Sequence, residues 1–258
     1  MPKTGFFLAF DTSTDVMSIA LTDGDRVWQH TGPGGAKASA TLIPAILALL
    51  ADAGLALGDL QAIAFGRGPG SFTGLRTACA VAQGLAFGAD QGEGVAVLPI
   101  DTLMAVAEEA RLHNPAAHIT ALLDARMDEM YVQRFTCHQG VLTKAGECQL
   151  IRPEHLVAEP GMLYAGNVFA VYQGRFPGGL PGGLSGGLPG DFLTGLPGGL
   201  SSVTCLPTAS AMLRLAPRLA ASGHCVAPAK ALPLYVRDKV AQTTQEREQI
   251  KALKLPAV

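Results

Sequence analysis

Apolar positions form short runs near the start of the chain and longer runs of helical spacing after residue 38. Phe6 to Phe10 is an unbroken apolar run that stops at Asp11, the pattern of a strand buried on both faces. Thr12 to Asp15 are turn residues. VMSIAL follows and then, beyond TDGD, RVWQHT, two more strands joined by a hairpin. ATLIPAILALLADAG predicts a helix closed by Gly54 as its C-terminal cap. LQAIAFG predicts a strand, SFTGLRTACAVAQGLAFG a helix and GVAVLPI a strand. DTLMAVAEEARLH is a further helix with Asp101 at its N-cap. Three strands, then helix, strand, helix, strand, helix, is a mixed α/β order whose later strands run parallel through right-handed crossovers.

After about residue 115 the pattern partly restarts. HITALLDARMDEMYVQRF reads as strand, turn and strand, VLTKAGECQLI adds one more strand, and TASAMLRLAPRLAASG supplies a helix. The order of the first half resembles the half-unit of the actin, hexokinase and Hsp70 superfamily (a ribonuclease H-like fold). Two α/β domains are therefore expected, residues 1–105 and a reduced second one, 106–258. Within the second lies PGGLPGGLSGGLPGDFLTGLPGGL, a four-residue repeat from Pro177 to Leu200. So many Gly and Pro residues do not form a packed helix or sheet, and a mobile surface insertion is expected.

Composition narrows the function. The 258 residues are 48% hydrophobic and 16% charged, with a formal net charge of −2. That balance gives no electrostatic basis for tight independent binding of nucleic acid. The five cysteines lack C-x-x-C and zinc-like spacing and read as small buried hydrophobes of a reducing cytosol. The apolar run after Lys3 is too short for a signal peptide, and the other uncharged runs read as broken or too short to span a bilayer. A soluble, cytoplasmic protein with no membrane contact is expected.

AFGRGPGSFTGLRTACAVAQG, Ala64 to Gly84, is the stretch richest in chemical suggestion. Its glycines and flanking Arg67 and Arg76 suggest a phosphate cradle, but Gly70-Ser71-Phe72 lacks the lysine of a Walker loop. The spacing G-x-G-x-G also misses the dinucleotide fingerprint. A helix starting at Ser71 retains free N–H groups that could hold an anion weakly. Packing explains more residues: Gly70, Gly74, Ala78, Ala82 and Ala86 recur every four positions as a small-residue ridge. Arg76 is the only charge from Ser71 to Ala89, and no charge lies between Lys37 and Asp52. Helices with so little polar surface must be covered all round, either because both are internal to the fold or, as expected here, because a partner chain lies against both. On that reading Ala78→Arg should abolish association and leave the monomer folded.

Other chemistry is thin. Asp11 in FDTST stands where this superfamily puts its first phosphate loop, and as a strand-end turn residue it also has a structural reading. The six histidines contain no i, i+4 pair and no H-E-x-x-H, and no G-x-S-x-G elbow occurs. Asp124, Asp128 and Glu129 fit a solvated hairpin turn better than paired catalytic carboxylates.

Four segments carry a family resemblance: AFDTSTDVMSIAL, AIAFGRGPGSFTGLRTACAVAQGLAFG, LLDARMDEMYVQRF and LPLYVR. They resemble the bacterial TsaB family, formerly YeaZ. The resemblance implies an actin-like fold with a shrunken second domain. It also implies a non-catalytic partner of the TsaD enzyme, assisted by the ATPase TsaE, in placing threonylcarbamoyl on an adenosine beside the tRNA anticodon. The family pairs through its first two helices, here about Ala38–Ala53 and Ser71–Phe87. The interface residues expected are Ser39, Leu42, Ile43, Ile46, Gly70, Gly74, Ala78 and Ala82, with Asp11, Arg67, Ser71 and Arg76 as interface or anion contacts. No cofactor is expected on this chain alone, ATP and magnesium belonging to the assembled complex. Contact with tRNA only through the complex completes the expectation, and the sequence leaves monomer and homodimer both open for the free chain. The family usually has His-Ser where this chain has Ala38-Ser39. The rival classes are a self-sufficient phosphotransferase of the same fold, for which YAGNVFAVY is the only second phosphate loop on offer, and a peptidase, which lacks its metal-binding histidines.

Overall fold

The computed structural model describes residues 5–89, 94–177, 192–193 and 201–237. Strands β1 (Phe7–Asp11), β2 (Val16–Thr22) and β3 (Val27–Pro33) form an antiparallel meander. Helix α1 (Ala38–Ala53) leads to β4 (Ala62–Gly68), and α2 (Phe72–Gly88) leads to β5 (Ala96–Asp101). β4 pairs parallel with β1 and with β5, giving a five-stranded sheet in the order β3-β2-β1-β4-β5. Gly54 closes α1 in the left-handed conformation, as expected.

The unbroken apolar run of β1 has a simple cause. Leu8 and Phe10 face α1 and α2, while Phe7 and Ala9 face a helical layer on the other side of the sheet. That layer is α3 (Thr102–His113) with α4 (Ala209–Ala221), and it is shared with a second sheet through Ile119, Ala121 and Leu123. Both faces are covered, so alternation disappears.

The second sheet is built from β6 (His118–Asp124), β7 (Met130–His138), β8 (Val141–Lys144), β9 (Gln149–Ile151), β10 (Leu163–Gly166), β11 (Phe192–Leu193) and β12 (Ser201–Thr204). β6 pairs antiparallel with β7 and parallel with β10, and β10 pairs parallel with β12. The series β8-β7-β6-β10-β12 thus repeats β3-β2-β1-β4-β5 in order and direction. Where α1 would recur there are only β9 and one short turn of helix at Pro153–His155. Where α2 would recur, the chain has turns and then the Gly-Pro repeat. The outer face of this sheet is closed by side chains such as Val168, Phe169, Tyr172 and Phe176 instead of helices. Among the described residues the second domain shows no counterpart of α1 or α2.

Several details differ from expectation. α3 runs across the boundary placed at 105–106, so the change of unit lies between Asp101 and His118. VLTKAGECQLI holds two short strands, β8 and β9, both pairing with β7. Asp101 occupies the N-cap position of α3 without a side-chain capping bond, whereas Thr208 caps α4 by accepting from Ala211 N at 3.1 Å. β11 falls inside the repeat and pairs with β12, so this part of the insertion extends the sheet. The remainder of Pro177 to Leu200, apart from Pro177, lies outside the described residues. The segment Gly35–Ala53 is 19 residues long with mean hydropathy 1.5, long and apolar enough to cross a membrane, contrary to the expectation of short or broken runs. Here it packs Leu42, Ile46, Leu49 and Leu50 into the core of the first sheet.

After α4 the chain returns to the first unit as a strap. Val226 bridges Val97, Ala231 enters the core beneath α2, and Leu234 N donates to Arg67 O at 2.6 Å.

Candidate partner-docking face and interdomain cleft

The glycines of the stretch after β4 are there for contacts within the chain. A Cβ on Gly66 would overlap the Asp11 carboxylate, one on Gly70 would strike Ser13, and one on Gly74 would strike the Thr12 carbonyl. Thr12 Oγ1 donates to Gly74 O at 2.7 Å, and Ser71 N donates to Ser13 O at 2.7 Å. The turn between β1 and β2 therefore rests on the first turns of α2, which only glycine permits.

This placement corrects the expected interface residue by residue. Ala78 and Ala82 are 0% exposed, and so are Leu42 and Ile46 of α1. The small-residue ridge lets α2 approach its own sheet and the β1–β2 turn, so Gly74, Ala78, Ala82, Leu42 and Ile46 belong to the core. Ala78→Arg would then disrupt the fold itself, reversing the expected outcome. Gly70 is partly buried against Ser13. Ser39 and Ile43 remain on the surface, where Ser39 Oγ donates to Ala36 O at 3.0 Å.

The outward faces of the two helices are nonetheless apolar. α1 exposes Ile43 and Leu47, the latter 50%, and α2 exposes Phe72, Ala80, Gly84 and Phe87, with Phe87 at 56%. Arg76 is the only charge on this side of α2. Its guanidinium lies 4.2 Å from the Phe72 ring centroid and its Nε donates to Tyr235 Oη at 3.3 Å. The two rings are 5.3 Å apart, so the strap is tied to the start of α2.

Asp11 is no surface contact. It is 0% exposed, accepts from Ser13 N at 2.8 Å and Ser13 Oγ at 2.6 Å, and accepts a longer bond from Thr102 Oγ1 at 3.4 Å. Burial without a counter-charge pushes its carboxyl up to about 6, against the pull of those hydrogen bonds. Arg67 is not a free anion site either. It pairs with Asp101, which also takes Lys144 from β8, making an ion triad across the two units. Lone charged residues flanking a strand end were the only sequence signal of that triad.

Ser71 is exposed and lines a cleft of about 270 Å³ between the units. Ser13, Thr14 and Phe72 form one wall of this cleft, with Asp124, Arg126 and Asn167 opposite. Arg126, Met127 and Asp128 turn the β6–β7 hairpin with φ of 61°, 57° and 60°. Asp124, Asp128 and Glu129 are all engaged. Asp124 meets Arg126 at 3.2 Å and Tyr172 Oη at 2.7 Å, Asp128 meets Arg175 at 2.7 Å, and Glu129 meets Arg237 at 2.7 Å. Arg126 also reaches Asp15 of the first unit at 2.9 Å, and Arg237 at the end of the strap donates to the carbonyls of Ala125 and Arg126. These two arginines were not singled out from the sequence, because their partners are far away along the chain. Among the described residues no group of three or more His, Cys, Asp or Glu is placed to hold a metal.

Comparison with known proteins fits this arrangement. The Escherichia coli "tRNA threonylcarbamoyladenosine biosynthesis protein TsaB" is 32% identical over 236 residues, covering 91% of this chain and 95% of that protein. The chain belongs to the TsaB (YeaZ) family. A TsaB from Haemophilus influenzae is 33% identical over 90% of this chain and 94% of its own length. The solved YeaZ structure from Pseudomonas aeruginosa superposes with a TM-score of 0.74 at 32% identity, covering 92% of this chain and all of that one. Residues 32–181 also match the family model described as "TsaD: tRNA N6-adenosine threonylcarbamoyltransferase". The paired sheets are those of the actin/hexokinase-like fold. The TsaB family places the chain among proteins of tRNA threonylcarbamoyladenosine biosynthesis. Ala38, where the resemblance led to the expectation of histidine, is fully buried at the start of α1.

Proposed function

We propose that this chain is a non-catalytic subunit that binds and organises a TsaD-type enzyme for threonylcarbamoyl transfer to the adenosine next to the tRNA anticodon. The observation that carries the reading is the exposed apolar face of α1 and α2, where Ile43, Leu47, Phe72 and Phe87 stand in solvent with one charge among them. Exposed apolar surface of this kind gains free energy when covered, and helix against helix is the natural cover. Docking there would hold the partner in one arrangement and leave the chemistry to it. A TsaE-type ATPase, ATP and magnesium act in the assembled complex, tRNA is contacted through it, and the setting is the cytoplasm. The same face would serve a homodimer of the free chain.

The phosphotransferase reading needs a free acid in the cleft. Asp11, the carboxylate in the right sequence position, lies sealed beneath Gly66, and the cleft's own Asp15 and Asp124 are paired with Arg126. The test is reconstitution. TsaD-type and TsaE-type partners, threonylcarbamoyl-AMP and tRNA are assayed with and without this chain, alongside ATP turnover by the chain alone. Modification that requires the chain, with no turnover by it alone, is expected. Modification proceeding equally well without it would overturn the reading.

A further inference from the structure

Arg76, on the docking face, has no carboxylate partner among the described residues. Eight arginines among the described residues pair with carboxylates of the same chain, so acids are available to those that can reach them. Arg76 is different. No carboxylate lies within ion-pair reach of it among the described residues, where it meets a ring and a phenol. Phe72, one helical turn earlier, lies under the guanidinium, and Tyr235 takes its Nε, while no hydrogen bond engages the two terminal nitrogens among the described residues. The guanidinium is thus fixed before any partner arrives, so little side-chain freedom remains to be lost on docking.

Covering this face removes water from Arg76, and a desolvated guanidinium without an anion is unfavourable. A second copy of the chain has little to offer it. Between residues 38 and 89 the acids are Asp52, in the last turn of α1, and Asp59, which accepts from Ala56 N at 2.9 Å. α2 carries none. A nucleic acid would satisfy the charge but leave Ile43, Leu47 and Phe87 uncovered. We infer that Arg76 selects the occupant of the α1–α2 face: a protein helix with an apolar stripe and an aspartate or glutamate opposite Arg76, in preference to a second copy of this chain. The inference rests on the docking reading above and adds the determinant of partner choice.

The experiment uses the full chain as wild type, Arg76→Gln and Arg76→Glu, with the TsaD-type subunit of the same genome. Affinity is measured by calorimetry, and self-association of each variant alone by sedimentation. Binding should weaken about tenfold in Arg76→Gln and about a hundredfold in Arg76→Glu. A partner variant with one interface carboxylate changed to lysine should restore Arg76→Glu. Self-association of Arg76→Gln should strengthen. Unchanged melting temperatures keep the comparison free of folding effects, and Arg76→Gln retains a neutral stem if the reversal disturbs α2. Wild-type binding that survives Arg76→Glu overturns the inference and spares the docking reading, as does Arg76→Glu that loses tRNA crosslinking while keeping the protein partner. Unaltered self-association of Arg76→Gln overturns the discrimination against a second copy. Wild type that fails to bind the TsaD-type subunit at all overturns the docking reading itself.

Discussion

Asp11 sits where four segments converge, with Ser13, Gly66, Thr102 and Met212 around it and no cation near among the described residues. Its carboxyl rises from 3.8 to about 6 because water is excluded. The folded state therefore holds this proton more tightly than the unfolded chain. Its contribution to stability is fully present below about pH 4 and is lost as pH rises through about 6. Asp11→Asn should remove that slope and make the protein more stable at pH 8 by up to about 3 kcal/mol. Urea unfolding at pH 5 and pH 8 decides it, and a variant that keeps the wild-type difference shows the cause to be elsewhere. At Gly74 the neighbour is backbone, which cannot swing away, so Gly74→Ala should cost about 1–3 kcal/mol in the same assay. The turn role of Asp11 was legible in FDTST, since Asp and Thr bond their own backbone after a strand. Its sealed position was not, because the lid is Gly66, more than fifty residues on.

At the scale of elements, α1 and α2 show what an uncharged helix can and cannot say. The lack of charge meant cover on every side. It did not say which side belonged to the chain. Small residues mark the side of closest approach, and in α2 that approach is to the chain's own sheet and β1–β2 turn, where the Gly74, Ala78 and Ala82 edge lies. The outward side carries the bulkier Phe72 and Phe87. Two substitutions separate the sides. Leu47→Asp, on the exposed side of α1, should leave the melting temperature within about 3 °C of wild type and weaken association with a TsaD-type subunit at least about tenfold. Ala78→Arg puts a guanidinium into a fully buried site and should lower stability by roughly 3–5 kcal/mol, seen as insoluble or unfolded protein. A soluble, folded Ala78→Arg would return the ridge to the surface.

For the whole molecule, element order alone disclosed the doubled α/β plan, because buried runs and helical runs alternate legibly. The strap was not legible. Its contacts join residues about 110 or more positions apart, such as Arg237 with the Ala125 and Arg126 carbonyls and Tyr235 with Arg76. Arg237→Ala should free the β6–β7 hairpin, raising amide exchange across 125–129 and costing about 1–3 kcal/mol, since a largely buried, hydrogen-bonded charge is removed. Exchange rising only in the tail would show that the strap does not restrain the hairpin. That the described residues of the second unit hold no counterpart of α1 or α2 has a different kind of consequence. A fully doubled molecule would present two equivalent helical faces and could join neighbours on both sides, chain after chain. With one such face among the described residues, and docking as proposed above, each subunit has a valence of one through its helices. It can complete an assembly, and it cannot propagate one.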